Sequence, residues 1–185
     1  QIPELKNYLI DVYEEFYSEN TSCRVLFEGA QGFGLDVDWG DYPFVTSSTC
    51  TVGGVVANGI PPSKIRNIWG ITKVYETYVG AKKFEPNDPI FGKIRELGGE
   101  YGATTGRPRQ CNWINTALLR KAARMNGVNK VVFNKADILR MVDVWKAYDL
   151  NGNLITFQDE ELMKQWMQEL LPNVEIYWSD SPDRL

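Results

Sequence analysis

The 185 residues are 43% hydrophobic and 24% charged, the balance of a soluble globular protein long enough for one real core. A net charge of −4 disfavours non-specific nucleic-acid binding, and no run of 18 apolar residues or basic-plus-apolar leader suggests a membrane span or signal peptide. There is no histidine, and the three cysteines lack metal-ligand spacing, which excludes histidine-based catalysis and histidine-ligated zinc in this chain and points to a reduced, cytoplasmic protein.

In chain order, Leu5, Tyr8, Leu9, Val12, Tyr13 and Phe16 recur at helical spacing and predict an amphipathic helix. Arg24-Val-Leu-Phe27 reads as a short buried strand that stops at Gly29. A Gly- and Thr/Ser-rich stretch follows to Gly59, and the β-branched and aromatic region Ile65 to Val79 predicts a strand. Trp113 to Met125 predicts a helix, with Asn112 as N-cap and Gly127 beyond its end. Lys130-Val-Val-Phe133 is a second buried strand. Val142–Tyr148 and Leu154–Phe157 are strand-like segments joined by the turn Asp149-Leu-Asn-Gly152. Asp159 starts a helix through Leu171, and Val174–Trp178 closes as a strand. Strands alternating with helices define an α/β protein of one domain. Trp69, Trp113, Trp145, Trp166 and Trp178 are read as core or core-edge residues.

Four stretches carry the residue types of a ligand site. Phe27-Glu-Gly-Ala-Gln-Gly-Phe-Gly-Leu-Asp-Val-Asp-Trp-Gly40 offers tight turns, and Gln31 offers donors and an acceptor for a planar base edge; taken alone, a purely structural turn is the better account of it. Asp36 and Asp38 in this stretch read as loop braces rather than as a carboxylate dyad. Tyr42-Pro-Phe-Val-Thr-Ser-Ser-Thr-Cys-Thr-Val-Gly-Gly54 clusters hydroxyls before a helix, where they either hold a phosphate or cap that helix. Tyr101-Gly-Ala-Thr-Thr-Gly-Arg-Pro-Arg109 places two guanidinium groups at i and i+2 in a glycine-rich loop, a pattern suited to a carboxylate or phosphate. In Phe133-Asn-Lys-Ala-Asp137 the Asn-Lys-x-Asp pattern directly after an apolar strand suits guanine. The Asp accepts from N1–H and the 2-amino group while the Lys stem covers the ring.

Taken in this order, the stretches resemble adenylosuccinate synthetase. Phe27 through Ser48 follows the family pattern almost throughout, and Gly53-Gly-Val55, Val79-Gly-Ala81, Gly102-Ala-Thr-Thr-Gly-Arg107, Lys135-Ala-Asp137 and Ser179-Asp-Ser-Pro-Asp-Arg184 follow. The resemblance implies a portion of a mainly parallel, P-loop-GTPase-like sheet with flanking helices. It also implies a ligase that uses GTP and Mg²⁺ to phosphorylate the 6-oxygen of IMP, which aspartate then displaces. It assigns Gln31, Leu35, Thr46, Val79 and Arg107 to IMP, and Thr104, Thr105, Arg107 and Arg109 to aspartate. Lys135, Asp137, Ser179 and Ser181 are assigned to GTP, with Ser181 standing where the family has a glycine. The family's Gly-Asp-Glu-Gly-Lys-Gly-Lys loop and its catalytic His have no counterpart here. Residues 1–185 therefore read as a C-terminal part without catalytic or magnesium-binding residues of its own. The expected partners are small molecules, together with a second copy or an N-terminal half. Two other readings stand beside it: a phage-type enzyme that joins aspartate to dGMP, and a non-catalytic guanine-nucleotide-binding module.

Overall fold

A computed structural model describes residues 3–17 and 24–181. Its regular elements are α1 (Val12–Tyr17), α2 (Gly53–Ala57), β1 (Trp69–Lys73), β2 (Tyr75–Tyr78), α3 (Ile90–Gly98), β3 (Gln110–Asn115), α4 (Thr116–Asn126), β4 (Lys130–Asn134), α5 (Ala136–Val142), β5 (Trp145–Tyr148), β6 (Leu154–Phe157), α6 (Glu160–Leu170) and β7 (Glu175–Ser179).

The strands form two sheets. One is parallel in the order β1-β4-β7, and in it Lys73 pairs with Asn134 and Asn134 with Ser179. The other runs β2-β3-β5-β6, antiparallel at β2-β3 and β5-β6 and parallel at β3-β5. Val74 alone separates β1 from β2, so the chain passes from the first sheet into the second through a bend at this one residue. Its backbone N–H still bonds Asn134 O at 3.0 Å. The core fills the space between sheets and helices with Val74, Tyr75, Phe91, Ile94, Ile114, Phe133, Leu139, Trp145, Met163 and Met167. This is the mixed α/β architecture, a parallel sheet flanked by helices, that the element pattern predicts.

The C-terminal two-thirds follows the sequence closely, because each element there has a partner. Strand Lys130–Asn134 is as expected, and the Asp149–Gly152 turn closes the β5–β6 hairpin with Gly152 at φ 83°. Asp159 caps α6 by accepting from Leu162 N at 2.9 Å. The expected Trp113–Met125 helix needs correction. Trp113 is in β3 with its side chain buried, and the cap is Asn115, not Asn112, accepting from Leu118 N at 3.0 Å. Asn112 instead donates its amide to Phe84 O at 3.0 Å, and its Oδ1, the atom a cap would use, accepts from Trp113 N at 2.8 Å within the strand. Trp113 and Trp145 are buried as expected and Trp166 and Trp178 pack on the core's edge, while Trp69 is 42% exposed and stacks on Tyr177.

The N-terminal expectations fare differently. The predicted helix over Leu5–Phe16 divides into a 3₁₀ segment, Pro3–Tyr8, and the six-residue α1, and neither contains a buried residue. Arg24–Phe27 forms no strand; Leu26 is 90% exposed and no strand of the described residues pairs with it. An apolar stripe or run becomes an element only against a surface that receives it, and none of the described residues supplies that surface. Asn115→Ala should lower the unfolding free energy by about 1 kcal/mol, the usual worth of an N-cap, in a denaturant titration, whereas Asn112→Ala should leave the start of α4 unfrayed by hydrogen exchange.

Candidate functional site

The first loop is built around Asp36, which has no exposed surface. Its carboxylate accepts from the backbone N–H groups of Cys50 at 2.6 Å, Asp38 at 3.0 Å and Trp39 at 3.0 Å. Burial alone would raise its pKa, but these donors hold it below the ordinary carboxylate value. Asp36 is therefore the loop brace expected of it; Asp38 contributes only its N–H. Gly40 packs so closely that a Cβ there would lie 2.5 Å from Asp36 O and 2.6 Å from Gly34 O. The brace brings Leu35, Thr46 and Gln31 together. Thr46 N donates to Leu35 O at 2.8 Å, Thr46 Oγ1 lies 3.4 Å from Ser48 Oγ, and Ser48 Oγ donates to Gln31 Oε1 at 3.2 Å. Gln31 is exposed and sits at φ 59°, a left-handed conformation that costs a non-glycine residue about 1–2 kcal/mol. Exposed Val79 lies on the neighbouring 79–84 segment, which an ion pair from Lys82 to Asp41 ties to this loop. The hydroxyl-rich stretch caps nothing: Val52 precedes the short α2 with no side-chain bond, and its N–H goes to Asn126 Oδ1 at 2.8 Å.

The arginine loop leaves α3 through Gly99, left-handed at φ 61°, and returns through an isolated bridge between Tyr101 and Pro108. Gly102 N donates to Arg107 O at 2.9 Å and Gly106 N to Gly102 O at 2.8 Å, which closes the loop. Thr104, Thr105 and Arg107 are exposed at its tip, and Thr105 Oγ1 accepts from Arg107 N at 3.4 Å. Arg107's guanidinium has no ion-pair partner among the described residues. Arg109 is different, for its Nη1 donates to Glu100 Oε2 at 3.0 Å.

Glu100 is a buried, fully engaged carboxylate that sequence reading misses. It is 1% exposed, yet both its oxygens accept from Lys73 Nζ at 2.8 Å, and Oε1 also accepts from Tyr75 Oη at 2.8 Å. Lys73 donates further to Thr77 Oγ1 at 2.8 Å. Burial opposes the charge on Glu100, but the Lys73, Tyr75 and Arg109 donors hold its pKa below the ordinary value. Burial lowers that of Lys73, with Glu100 opposing. Burial and the Glu100 bond raise that of Tyr75. The only signal in the sequence was a lone Glu beside a glycine-rich loop, and two of its three partners lie 25 and 27 positions away.

The guanine-type motif sits where β4 ends. Lys135 is left-handed at φ 66°, which turns the chain directly into α5 and places Asp137 in its first turn. Lys135 Nζ donates to Gly98 O at 3.0 Å. Asn134 pairs in register with Ser179, and its amide oxygen is buried without a hydrogen-bond partner. Ser179 Oγ donates to Ser181 O at 2.9 Å, so this end of β7 lies beside the motif; the rest of the Ser179–Arg184 match, Pro182–Arg184, lies outside the described residues. The structure thus gathers the guanine set, and through Gly98–Glu100 it joins that set to the arginine loop. No hydrogen bond or ion pair among the described residues joins the Gln31 loop to the arginine loop.

Burial pushes the carboxyl of Glu76 up to about 7, against the Asn115 N–H at 3.0 Å and the charge of Lys82, which lower it. Because this acid's folded value lies above its unfolded value, its contribution to stability is complete below about pH 4.5 and is lost as pH rises through about 7. Glu76→Gln should therefore be more stable than the parent at pH 8, by up to ~3 kcal/mol, and converge with it near pH 4.5 in urea titrations.

A parallel sheet with a guanine-type motif at a strand end, next to a braced arginine loop, defines an α/β protein whose loops carry residue types suited to a nucleotide and an anion. The comparisons place it more narrowly. The family described as adenylosuccinate synthetase matches residues 1–176, and the chain belongs to that family. The chain is similar to fully ligated adenylosuccinate synthetase from Plasmodium falciparum, at 27% identity and a TM-score of 0.81, covering 98% of this chain and 54% of that one. It also shares the fold of succinoaminodeoxyadenylate synthetase from cyanophage S-2L, solved with dGMP and with dATP as energy donor, at 21% identity and a TM-score of 0.57, covering 83% and 43%. The chain spans about half the length of the structures it matches. Among the described residues no helix is long and apolar enough to cross a membrane, and no three acidic or thiol side chains cluster as metal ligands.

Proposed function

We propose that this chain is the C-terminal part, residues 1–185, of a purine-nucleotide ligase that joins aspartate to IMP at the expense of GTP. The observation that carries this reading is the Asn134–Asp137 motif, held by a left-handed Lys135 at the end of a parallel strand. In this reading Asp137 accepts from guanine N1–H and the 2-amino group, and Lys135 leaves Gly98 O to lie along the ring. Ser179 and Ser181 frame the base's other edge. An adenine, with no proton on N1 and no 2-amino group, leaves the carboxylate unpaired.

Thr104, Thr105, Arg107 and Arg109 take the two carboxylates of aspartate, which forked guanidinium groups suit. Gln31, Leu35, Thr46 and Val79 receive the purine nucleotide, with Arg107 reaching toward it. GTP phosphorylates the 6-oxygen; the aspartate amine then attacks C6 and phosphate leaves. The Mg²⁺ that would neutralise charge on the transferred phosphoryl group is assigned to no residue of this chain, and neither is the acid that protonates the 6-oxygen. Those groups belong to an N-terminal half, and a homodimer or an assembly of halves in the cytoplasm completes the enzyme. The dGMP bound by the cyanophage protein makes dGMP the alternative acceptor.

In calorimetry, GDP should bind the chain more tightly than ADP, by about 1–3 kcal/mol for one lost bidentate pair. Asp137→Asn should transfer the preference to xanthosine diphosphate, whose 2-oxygen accepts from the new amide. Equal GDP and ADP affinities would remove the guanine assignment.

The chain alone, given IMP or dGMP, GTP, aspartate and magnesium, should form no product above background. A polypeptide supplying the N-terminal half should restore turnover. Product formed by the 185 residues alone would demand an acid, a base and a phosphate site within them.

A further inference from the structure

We infer that Glu100 is a positioning residue for the ligand loops: its buried carboxylate fixes the guanidinium of Arg109 at the base of the arginine loop and ties that loop to the strand end that carries the guanine-type motif. The inference rests on the assignment of Arg109 to a dicarboxylate. Arg109 projects from the end of the loop, and its side chain is 34% exposed. A guanidinium at such a position would ordinarily sample many rotamers and lose that freedom on binding. Here Nη1 is occupied by Glu100 at 3.0 Å, and the backbone is held as well. Arg109 N donates to Glu100 O at 3.0 Å, while Arg109 O accepts from Arg95 Nε at 2.6 Å. The guanidinium is therefore held at one edge, and its remaining N–H groups are left for a ligand.

The same carboxylate faces the other loop. Lys73, bound to both Glu100 oxygens, pairs in register with Asn134, and Tyr75 reaches Glu100 past Gly98, where a Cβ would lie only 2.4 Å from the Tyr75 hydroxyl. The carbonyl of Gly98 is the one that holds Lys135 Nζ. Gly98–Gly99–Glu100 is thus a single turn against which both Lys135 and Arg109 rest. Replacing the carboxylate with an amide removes the charge that gathers two cations, and Arg109 is the one with room to leave.

The test uses the full 185-residue chain. In ¹⁵N spectra of the arginine side chains, with Arg109→Lys as the assignment control, the wild-type Arg109 Nη resonances should be split by hindered rotation. In Glu100→Gln they should collapse to one averaged signal. In the presence of GDP, L-aspartate should perturb the amides of Thr104 to Arg109 in the wild type. Glu100→Gln should weaken that aspartate affinity at least ten-fold while GDP affinity stays within two-fold, and Glu100→Asp should recover part of the loss.

An averaged Arg109 signal in the wild type overturns the inference, and this arm needs no variant to fold. A folded Glu100→Gln chain that binds aspartate like the wild type overturns it too, as does a wild-type chain that binds GDP but not aspartate. If the wild type binds neither ligand while Arg109 is held and then released by Glu100→Gln, the brace stands and the proposed ligand assignment fails.

Discussion

A carboxylate with 1% exposure and three donor side chains organises this structure. A charge taken out of water is tolerable only when it is fully paired, and removing one member of a buried pair typically costs about 3–5 kcal/mol. Glu100 therefore constrains its neighbours. Lys73 must end β1 where it does, Tyr75 must enter past a residue without a side chain, and Arg109 must fold back at the base of its loop. Partial exposure of Lys73 and Arg109 softens the electrostatics but leaves the geometry. Because β1 pairs with β4, a constraint on Lys73 is also a constraint on the strand end that precedes Lys135.

The Gln31 loop repeats this solution with different donors. Asp36 has no exposed surface, and its charge is met by backbone N–H groups rather than by cations. Glu100 is tied to the sheet by side chains on neighbouring elements, whereas Asp36 binds only backbone N–H groups of its own loop and of the hydroxyl-rich stretch that follows it. The first loop is thus internally rigid and the second is rigid relative to the sheet. In both, part of the ligand-type chemistry is exposed, Gln31 on one and Thr104, Thr105 and Arg107 on the other, while Thr46 and Arg109 are half-buried. Of the three non-glycine residues with positive φ among the described residues, Gln31 and Lys135 are two, and backbone strain concentrated at such positions is what function-bearing loops show.

Much of this was legible in the sequence, for physical reasons that differ by element. The strand Lys130–Asn134 and the helix after Asp159 were readable because burial and capping are local signals. The family was readable because Phe27–Ser48 and Gly102–Arg107 are long, ordered motifs. The start of α4 was misjudged because Asn112 and Asn115 both look like caps, and only the β2–β3 pairing shows that Trp113 belongs to a strand. The Arg24–Phe27 strand and the first helix were misjudged because periodicity reports an apolar face and not whether a surface exists to cover it. Glu100 and Glu76 were invisible for a related reason. A carboxylate's role depends on burial and on partners from distant segments, and neither is written near it in the chain.

In the function proposed above, the guanine-type motif and the arginine loop are two parts of one ligand site joined through Gly98–Glu100. Mapping amide shift changes during a GDP titration of the ¹⁵N-labelled chain tests it directly. The account predicts primary changes at Asn134–Asp137 and Ser179–Ser181, with secondary changes at Gly98–Glu100 and Arg109. Changes confined to a surface away from β4 and β7, or a motif response that stops short of Gly98, would contradict it.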